Sequence, residues 1–250
     1  MRPIVTTAQS GNPAEADDLA RRFGLLHEPR QGRPLHEMSA LGAPLLVLAE
    51  HRADLYEAGR AFRATAGLAF LRLLRARKGD ADPLVKAAEL RPGERVLDAT
   101  LGLGGDALLA AQATSAPVVG VEADPLLAAF TAAALTRLPG HGRAPGRLVE
   151  VTLGDHRVAL RQMSAGAFDV VLLDPMFRIA GDAGPSFELL RVHADHSPLE
   201  AETLREARRV AKRGVLVKDS ARGEELQRLG LVPRLSRRSA NIAFGWADAL

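Results

Sequence analysis

An aspartate followed by proline is the feature of this sequence with the clearest chemical potential. The run Asp174-Pro175-Met176-Phe177 directly follows the apolar segment 170–173. Proline restricts the backbone of the residue before it to an extended conformation, which holds the side chain and carbonyl group of Asp174 in place. These oxygens can accept the hydrogens of an amine. The ring of Phe177 can stack on a base, a contact worth about 1–3 kcal/mol in single-stranded nucleic acids. The alternative is an ordinary turn beside a core phenylalanine.

A second candidate site lies where an apolar strand meets a glycine-rich segment. After Asp98 come Thr100, Gly102, Gly104, Gly105 and Asp106, and then a predicted helix. Glycines allow a tight turn close to a ligand, and a helix N-terminus offers unpaired N–H groups. The glycine spacing also fits the dinucleotide fingerprint of NAD enzymes, or a purely structural turn. Asp98 favours another ligand, because a carboxylate repels a pyrophosphate and attracts the ammonium and sulfonium of S-adenosylmethionine.

Two further predicted strands also end in acidic residues. Glu122 closes one apolar run, at a position where a carboxylate can accept both hydroxyls of a ribose, and Asp155 lies just past the next one. The carboxyl ends of parallel strands share one crevice, so we expect Asp98, Glu122 and Asp155 to converge there. Asp155 would then accept a hydrogen bond from an adenine amino group. The alternative is a chance arrangement of acids that cap helices.

These candidate residues belong to a regular alternation of strands and helices, typical of a parallel sheet covered on both faces. Strands are predicted at 95–99, 117–122, 148–152, 169–173 and 214–218, and helices at 106–113, 125–138, 158–163, 199–212 and 224–229. Segments 231–235 and 241–247 are predicted to add a final antiparallel pair. The fold class is therefore α/β, a Rossmann-like arrangement around a seven-stranded, mostly parallel sheet.

The N-terminal part has a different pattern and is predicted to form a small α+β extension. It contains a strand at 3–7, a helix from Pro13 to Phe23 capped by Asn12 and Gly24, a strand at 45–49 and a helical stretch at 66–74. The polar residues 78–83 interrupt the pattern. We therefore expect an accessory region at 1–80 and the main domain at 81–250.

Composition excludes several classes of protein. With 250 residues, of which 47% are hydrophobic and 25% charged, the chain is an ordinary globular protein with one main domain. The absence of cysteine excludes disulfides, thiolate metal sites and a cysteine nucleophile. The sequence has neither an apolar run of membrane-spanning length nor the layout of a signal peptide, so a cytoplasmic protein without membrane association is expected.

Basic residues are clustered, although the net charge is only +3. The clusters are Arg72, Arg75, Arg77 and Lys78; the segment 205–213; and Arg234, Arg237 and Arg238. They are candidates for a face that contacts phosphate groups. The alternative is the solvated surface of helices.

Taken together, the motifs resemble those of the ribosomal small subunit methyltransferase J family. The resemblance rests on the segment from Asp98 to Asp106, Glu122, the run Asp174-Pro175-Met176-Phe177 and the late strand Val215-Leu216-Val217-Lys218. Members are bacterial class I enzymes that use S-adenosylmethionine to methylate the N2 amine of a guanosine in small-subunit ribosomal RNA. The resemblance implies donor binding at Gly105, Asp106, Glu122, Ala123, Asp155, His156 and Asp174.

We therefore expect a metal-independent methyltransferase that converts S-adenosylmethionine to S-adenosylhomocysteine. Asp174 would accept the hydrogens of the target amine and Phe177 would support the base, with ribosomal RNA or the small ribosomal subunit as partner. This chain departs from the family pattern at Arg178, where proline is usual, and at residues 219–220, where the family has Arg-Pro. These departures favour an alternative, an enzyme acting on a protein or small molecule. A further alternative, of a different class, is a catalytically silent RNA-binding module that binds the donor.

Overall fold

The computed structural model describes residues 1–39, 42–63, 72–76, 78–79, 82–138, 145–175, 185–237 and 242–250. The N-terminal part forms a five-stranded sheet. Its elements are β1 (Ile4–Thr7), α1 (Pro13–Phe23), β2 (Leu26–His27), α2 (Leu35–Ser39), β3 (Leu45–Leu48), β4 (Ala53–Glu57) and β5 (Arg60–Arg63). The strand order is β2-β1-β3-β4-β5, with β1 parallel to β2 and β3. Residues 72–76 are helical, and the rest of the helical stretch predicted at 66–74 lies outside the described residues.

The remainder of the chain forms the predicted seven-stranded sheet. Its strands are β6 (Val96–Asp98), β7 (Val118–Glu122), β8 (Val149–Leu153), β9 (Phe168–Leu173), β10 (Ala211–Ser220), β11 (Pro233–Arg237) and β12 (Ile242–Asp248). The order β11-β12-β10-β9-β6-β7-β8 is parallel except for β12, which runs antiparallel to both of its neighbours. The α/β fold class predicted from the sequence is confirmed. Connections leave β6 in opposite directions, and such a switch point opens a ligand crevice at the carboxyl ends of the strands.

Helices cover both faces of this sheet. They are α3 (Pro83–Ala88), α4 (Gly105–Thr114), α5 (Pro125–Thr136), α6 (His156–Gln162), α7 (Pro185–His193), α8 (Ala201–Val210) and α9 (Glu224–Arg228). Successive strand residues alternate between the faces. Val96, Leu172 and Leu216 pack in the same buried cluster as residues of α3, α4 and α5, whereas Leu97 and Val171 pack with residues of α6, α8 and α9.

The N-terminal sheet packs on the outer side of α5. Leu19 and Phe23 of α1 belong to the same buried cluster as Phe130 of α5. Arg137, at the end of α5, donates to the carbonyl of Ala49 at 2.8 Å and pairs with Glu15 at 2.7 Å. The accessory region therefore shares its core with the main sheet. The boundary expected near residue 80 falls at the edge of the described residues and stays a prediction.

Local sequence signals predicted some elements and missed others. As predicted, Asn12 caps α1 by accepting from the amide of Ala14, and Gly24 ends it with φ of +68°. The hairpin of β4 and β5 was not predicted, because its charged residues obscure the alternation of apolar side chains. Its turn places both Ala58 and Gly59 at positive φ, as two-residue hairpin turns often require.

Gly120 in β7 provides the space for a residue of the glycine-rich loop. A Cβ at this position would lie 2.5 Å from a methyl group of the buried Leu101. We expect Gly120→Ala to lower the free energy of unfolding by about 1–3 kcal/mol through overpacking. Gly154→Ala is the matched control, because a Cβ there meets no atom within 4 Å. Denaturant titration of both variants tests this expectation, and equal stabilities would contradict it.

Candidate active site

Strand register brings three charged residues to one edge and one face of the sheet. Asp98 of β6 pairs with Leu172 of β9, two residues before Asp174. On the other side of β9, Val217 of β10 pairs with Leu173, so Lys218 lies beside Asp174. Because side chains alternate, these three charged residues point to the face covered by α4. The sequence predicted the two acids at this edge. Sequence analysis named Lys218 only as the last residue of the motif Val215-Leu216-Val217-Lys218.

Asp98 is a buried carboxylate, with 3% of its surface exposed. One oxygen accepts a long hydrogen bond, 3.3 Å, from the amide of Thr100. Burial raises the pKa of Asp98 to about 8, and the negative charges of Asp106 and Asp174 add to the effect. Asp98 is therefore a carboxyl group that lacks a cation of its own among the described residues.

Asp106, the second residue of α4, is equally buried but is fully paired. Its Oδ1 accepts from Arg72 and its Oδ2 from Lys218, both at 2.8 Å. Burial alone would raise the pKa of Asp106, but the two cations outweigh it and lower the pKa to about 2. The carboxylate predicted to bind the donor thus faces two cations of the protein itself.

Asp174 is held through both its backbone and its side chain. Its amide donates to the hydroxyl of Thr100 at 2.6 Å, and its Oδ2 is in contact with the ammonium of Lys218. Burial raises the pKa of Asp174, and Lys218 partly opposes this shift. Pro175 is buried beside it. Met176 and Phe177, predicted with these two as catalytic residues, lie outside the described residues.

A chain of ion pairs extends from this edge to the N-terminal side of the domain. Arg72 donates from two nitrogens to the two oxygens of Asp82, each at 2.9 Å, and from the third to Asp106. Asp82 also caps α3 by accepting from the amide of Leu84. Carboxylates on both sides raise the pKa of Lys218 although its burial opposes this, so the lysine is charged.

The glycine-rich loop has the conformation that its composition predicts. Gly102 and Gly104 adopt φ values of +52° and +71°, and Gly104 precedes the first turn of α4. The amide of Gly102 donates to Glu122 at 2.9 Å, and its carbonyl accepts from Thr131 at 2.8 Å. The amides of Gly105 and Asp106 lie in the first turn of α4, where N–H groups have no partner within the helix.

Glu122 ends β7 beside this loop. Its two oxygens accept from the amides of Gly102 and Asp124, both at 2.9 Å, and burial raises its pKa. A carboxylate offers about four acceptor positions, and the amide of Ala123 also stabilises its charge, so at least one position remains for a ligand. Ala123 follows it and is exposed, while Asp124 caps α5 through the amide of Leu127.

Asp155 occupies the predicted place after β8, but its carboxylate is already engaged. It caps α6 through the amide of Arg157 and also pairs with the guanidinium of Arg157, at 2.6 Å for the shortest contact. This pairing lowers the pKa of Asp155 to about 2. His156 is half-buried, and burial lowers its pKa. Hydrogen bonding of Asp155 to a ligand would require Arg157 to move.

Helix α7 and the segment directly after it, which the sequence did not predict, contact three parts of the site. A Cβ on Gly102 would lie 3.3 Å from Leu190. His193 is held between Asp124 at 3.0 Å and Glu57 of β4 at 2.8 Å, and Asp195 pairs with Arg157 at 3.1 Å. The hydrogen bond to Asp124, with that to Glu57, raises the pKa of His193 to about 9 against the effect of burial.

Sequence reasoning assigned no role at this edge to three cations, Arg72, Lys218 and His193. Arg72 was predicted as part of a basic cluster facing phosphate groups, whereas it pairs with Asp82 and Asp106. Lys218 offered a usable signal, because it directly follows an apolar run, 215–217, as Asp98 follows Val96 and Leu97. Arg72 and His193 offered none, since their partners come from elements distant in the sequence.

The strand order, the switch point and the acidic strand ends define a class I methyltransferase fold. Residues 64–237 match the family described as "Putative SAM-dependent methyltransferase", which covers more than half of the chain. The protein belongs to this family of methyltransferases, and S-adenosylmethionine is its methyl donor.

Individual relatives agree with this assignment. The chain is 30% identical to the uncharacterized protein YpiP of Bacillus subtilis (strain 168), over 84% of each chain. It is 33% identical to the ribosomal RNA small subunit methyltransferase J of Laribacter hongkongensis, over 56% of this chain and 52% of that protein, so the match spans about half of that relative. The resemblance seen in the motifs is confirmed.

A solved structure shows the same fold over nearly the whole chain. The SAM-dependent methyltransferase NGO1261 of Neisseria gonorrhoeae superimposes with a TM-score of 0.65 at 20% identity, covering 98% of this chain and 95% of that one. Within the described residues, no group of three or more histidine or acidic side chains is arranged to hold a metal ion. None of the helices described is long and apolar enough to span a membrane.

The raised pKa of Asp98 predicts a pH-dependent stability. An acid whose pKa is higher in the folded than in the unfolded state stabilises the fold fully below its ordinary pKa, and this contribution is lost as the pH rises towards about 8. Asp98→Asn mimics the neutral acid. As the pH rises from 5 to 8, the free energy of unfolding of Asp98→Asn should therefore increase relative to that of the wild type, by up to about 1.4 kcal/mol per pH unit.

Asp169→Asn is the matched control, because hydrogen bonds from Arg95 and Lys212 lower the pKa of Asp169 despite burial. Its stability deficit should stay constant between pH 5 and 8. Denaturant unfolding at several pH values measures both variants. A constant difference between Asp98→Asn and the wild type would mean that Asp98 is ionised throughout this range.

Proposed function

We propose that this methyltransferase modifies the N2 amine of a guanosine in small-subunit ribosomal RNA. The observation that carries the proposal is the placement of Asp174, at the end of β9 and next to the strand that ends in Asp98. Thr100 and Pro175 fix its backbone, and its carboxylate remains partly exposed at the crevice. The relative named as a small-subunit ribosomal RNA methyltransferase supports this choice of substrate.

The charge balance of the crevice suits the methyl donor. Four carboxylates, of Asp82, Asp98, Asp106 and Asp174, share two cations, those of Arg72 and Lys218. With Asp82, Asp106 and Asp174 ionised and Asp98 protonated, the cluster has an excess of one negative charge, and ionisation of Asp98 raises this excess to two. Such an excess attracts a ligand that carries an ammonium and a sulfonium group, and Asp98 is the carboxyl left to pair with it. The donor supplies a methyl group activated by its bond to sulfur.

The other donor contacts follow from the free hydrogen-bonding groups. The amides of Gly105 and Asp106 would bind a carboxylate at the N-terminus of α4. Glu122 would accept the ribose hydroxyls with its remaining lone pairs, next to Ala123. Asp155 and His156 would border the adenine. The proposed donor site also includes Asp98, Thr100, Gly102, Gly104 and Asp174.

Asp174 would serve the acceptor. The lone pair of an exocyclic amine is delocalised into the base, so the amine attacks only when its hydrogens are accepted and its nitrogen is aimed at the methyl group. The carboxylate and carbonyl of Asp174 are the acceptors for these hydrogens. The amine loses one proton in the reaction, and the carboxylate of Asp174 would receive it. Phe177 would support the base by stacking.

Methyl transfer from labelled S-adenosylmethionine to small ribosomal subunits tests the proposal. Subunits from a strain lacking this gene should accept label in N2-methylguanosine, identified by nucleoside mass analysis. Subunits from the parent strain are the control and should accept none, because their site is already methylated. Absence of transfer to either subunits or free ribosomal RNA, with calorimetrically demonstrated donor binding, would contradict the proposed substrate.

Asp174→Asn separates catalysis from binding in the same assay. We expect turnover to fall at least about 100-fold, because the amide accepts hydrogen bonds less well and takes up no proton. The affinity for RNA should change little. Unchanged turnover would remove Asp174 from the proposed mechanism.

One observation favours a second candidate, a protein or small molecule as acceptor. Most arginines of the cluster at 205–213 are occupied internally: Arg205 and Arg209 pair with Glu202 and Glu206, and Arg213 pairs with Glu94. They are therefore poor candidates for an RNA-binding face. Two basic residues that follow Arg72 in the described part of the chain, Arg75 and Lys78, are exposed.

Salt dependence distinguishes the two candidates. If RNA is the substrate, Arg75→Glu/Lys78→Glu should weaken RNA binding and reduce the slope of log affinity against log salt by about 0.7 per lost phosphate contact. The control Arg91→Glu/Lys212→Glu makes the same charge change at the amino edge of the sheet, where both residues are exposed. Equal slopes for both double variants would argue for the second candidate.

A further inference from the structure

We propose that Lys218 is a positioning residue for methyl transfer, whose ammonium ties Oδ2 of Asp174 to Asp106 and leaves Oδ1 to accept hydrogen from the target amine. This inference rests on the proposed role of Asp174 in the reaction. It assigns a function to a cation that lies outside the motifs for donor and acceptor.

The position of Lys218 follows from the sheet. Strand β10 adjoins β9, and the pairing of Val217 with Leu173 sets Lys218 beside Asp174. The side chain of Lys218 is only 19% exposed, because it points under α4. There the ammonium lies 2.8 Å from Oδ2 of Asp106 and in contact with Oδ2 of Asp174. The lysine therefore bridges a carboxylate on a helix and one at a strand end.

The lysine is itself anchored. Asp106 is bound on its other oxygen by Arg72, whose remaining nitrogens bind both oxygens of Asp82. Lys218 is thus the last member of a chain of buried charges that begins at the cap of α3. An ammonium held in this way cannot follow a moving carboxylate, so it restricts Asp174 to one orientation.

The orientation has a chemical consequence. In the described part of the chain, the carboxylate of Asp174 forms hydrogen bonds through Oδ2 only. Oδ1 is then the oxygen left for the substrate. The ammonium of Lys218 also counters two influences that would protonate Asp174, its burial and the charge of Asp106, with Arg72 contributing from further away. Asp98 is the other acid facing this group, and it is already weakly ionised. Only an ionised Asp174 can take up the proton that the amine loses in the reaction.

A merely structural role for Lys218 makes different predictions. If the lysine only stabilised the fold, its loss would weaken donor binding and turnover together. If it positions and ionises Asp174, its loss reduces turnover while donor affinity stays the same or increases, because the crevice loses a positive charge that protonation of Asp174 at most offsets.

The test compares Lys218→Met with Lys218→Arg, and with Lys212→Met as the matched control. Lys212 lies on the same strand at the opposite edge of the sheet and pairs with Asp169 at 3.1 Å. The first measurement needs no substrate: a pH titration of the carboxyl carbons of aspartate by NMR, with the Asp174 signal assigned from Asp174→Asn. We expect the pKa of Asp174 to rise in Lys218→Met, and to change little in Lys218→Arg and Lys212→Met.

The second measurement is turnover with donor affinity. In Lys218→Met, kcat at pH 7 should fall about 100-fold, as expected for loss of a correctly ionised acid–base group. The acid limb of its pH–rate profile should move to higher pH, and Lys218→Arg should recover most of the activity. If Lys218→Met does not fold, Lys218→Gln takes its place in both measurements.

Each result supports or overturns the inference. An unchanged pKa of Asp174 in Lys218→Met, or a parallel loss of donor affinity and kcat, would overturn it. If the wild type transfers no methyl group to ribosomal RNA, the proposed function fails by itself, whereas the NMR titration still decides whether Lys218 controls Asp174.

Discussion

The active edge of this protein depends on placing three acidic groups, Asp98, Asp106 and Asp174, close together in a largely buried space. Burying an unpaired charge costs several kcal/mol, and acids of like charge raise one another's pKa. The structure accommodates them by inserting Lys218 between two of the acids and Arg72 behind one of them. The third acid, Asp98, remains uncompensated, which makes it the natural partner of a cationic ligand. In the proposed donor site, the ammonium or sulfonium of S-adenosylmethionine would supply the cation that Asp98 lacks.

At the same edge, single hydrogen bonds link the proposed site for the methyl donor to the proposed site for the acceptor. Thr100 belongs to the glycine-rich loop, yet its hydroxyl accepts from the amide of Asp174. Glu122 fixes the turn of that loop by accepting from the amide of Gly102. The groups proposed to hold the donor are therefore also the groups that shape the loop. A shift of the loop would move the acceptor strand end with it, so donor and acceptor positions are set jointly.

Much of this arrangement was predictable from the sequence because it depends on local rules. Alternating apolar residues predicted the strands, and strand ends in a parallel sheet share an edge, which identified Asp98 and Glu122 as neighbours. Pairing between distant residues followed no such rule. Asp155 was predicted to accept a hydrogen bond from an adenine amino group, and nothing in the sequence indicated that Arg157, two residues away, pairs with its carboxylate. The position of Lys218 beside Asp174 depends on which strand adjoins β9, and α7 has too short and too mixed a pattern to be seen.

His193 shows how far the N-terminal sheet belongs to the catalytic unit. Its imidazolium joins Glu57 of β4 to Asp124 at the start of α5, while Arg72, which precedes the expected boundary, neutralises Asp106. Ion pairs therefore cross the domain boundary that the sequence predicts near residue 80. An exchange of the first 80 residues for those of a distant relative would bring in a different set of cations and acids. We therefore expect the charged residues that join the two sheets to change together among relatives.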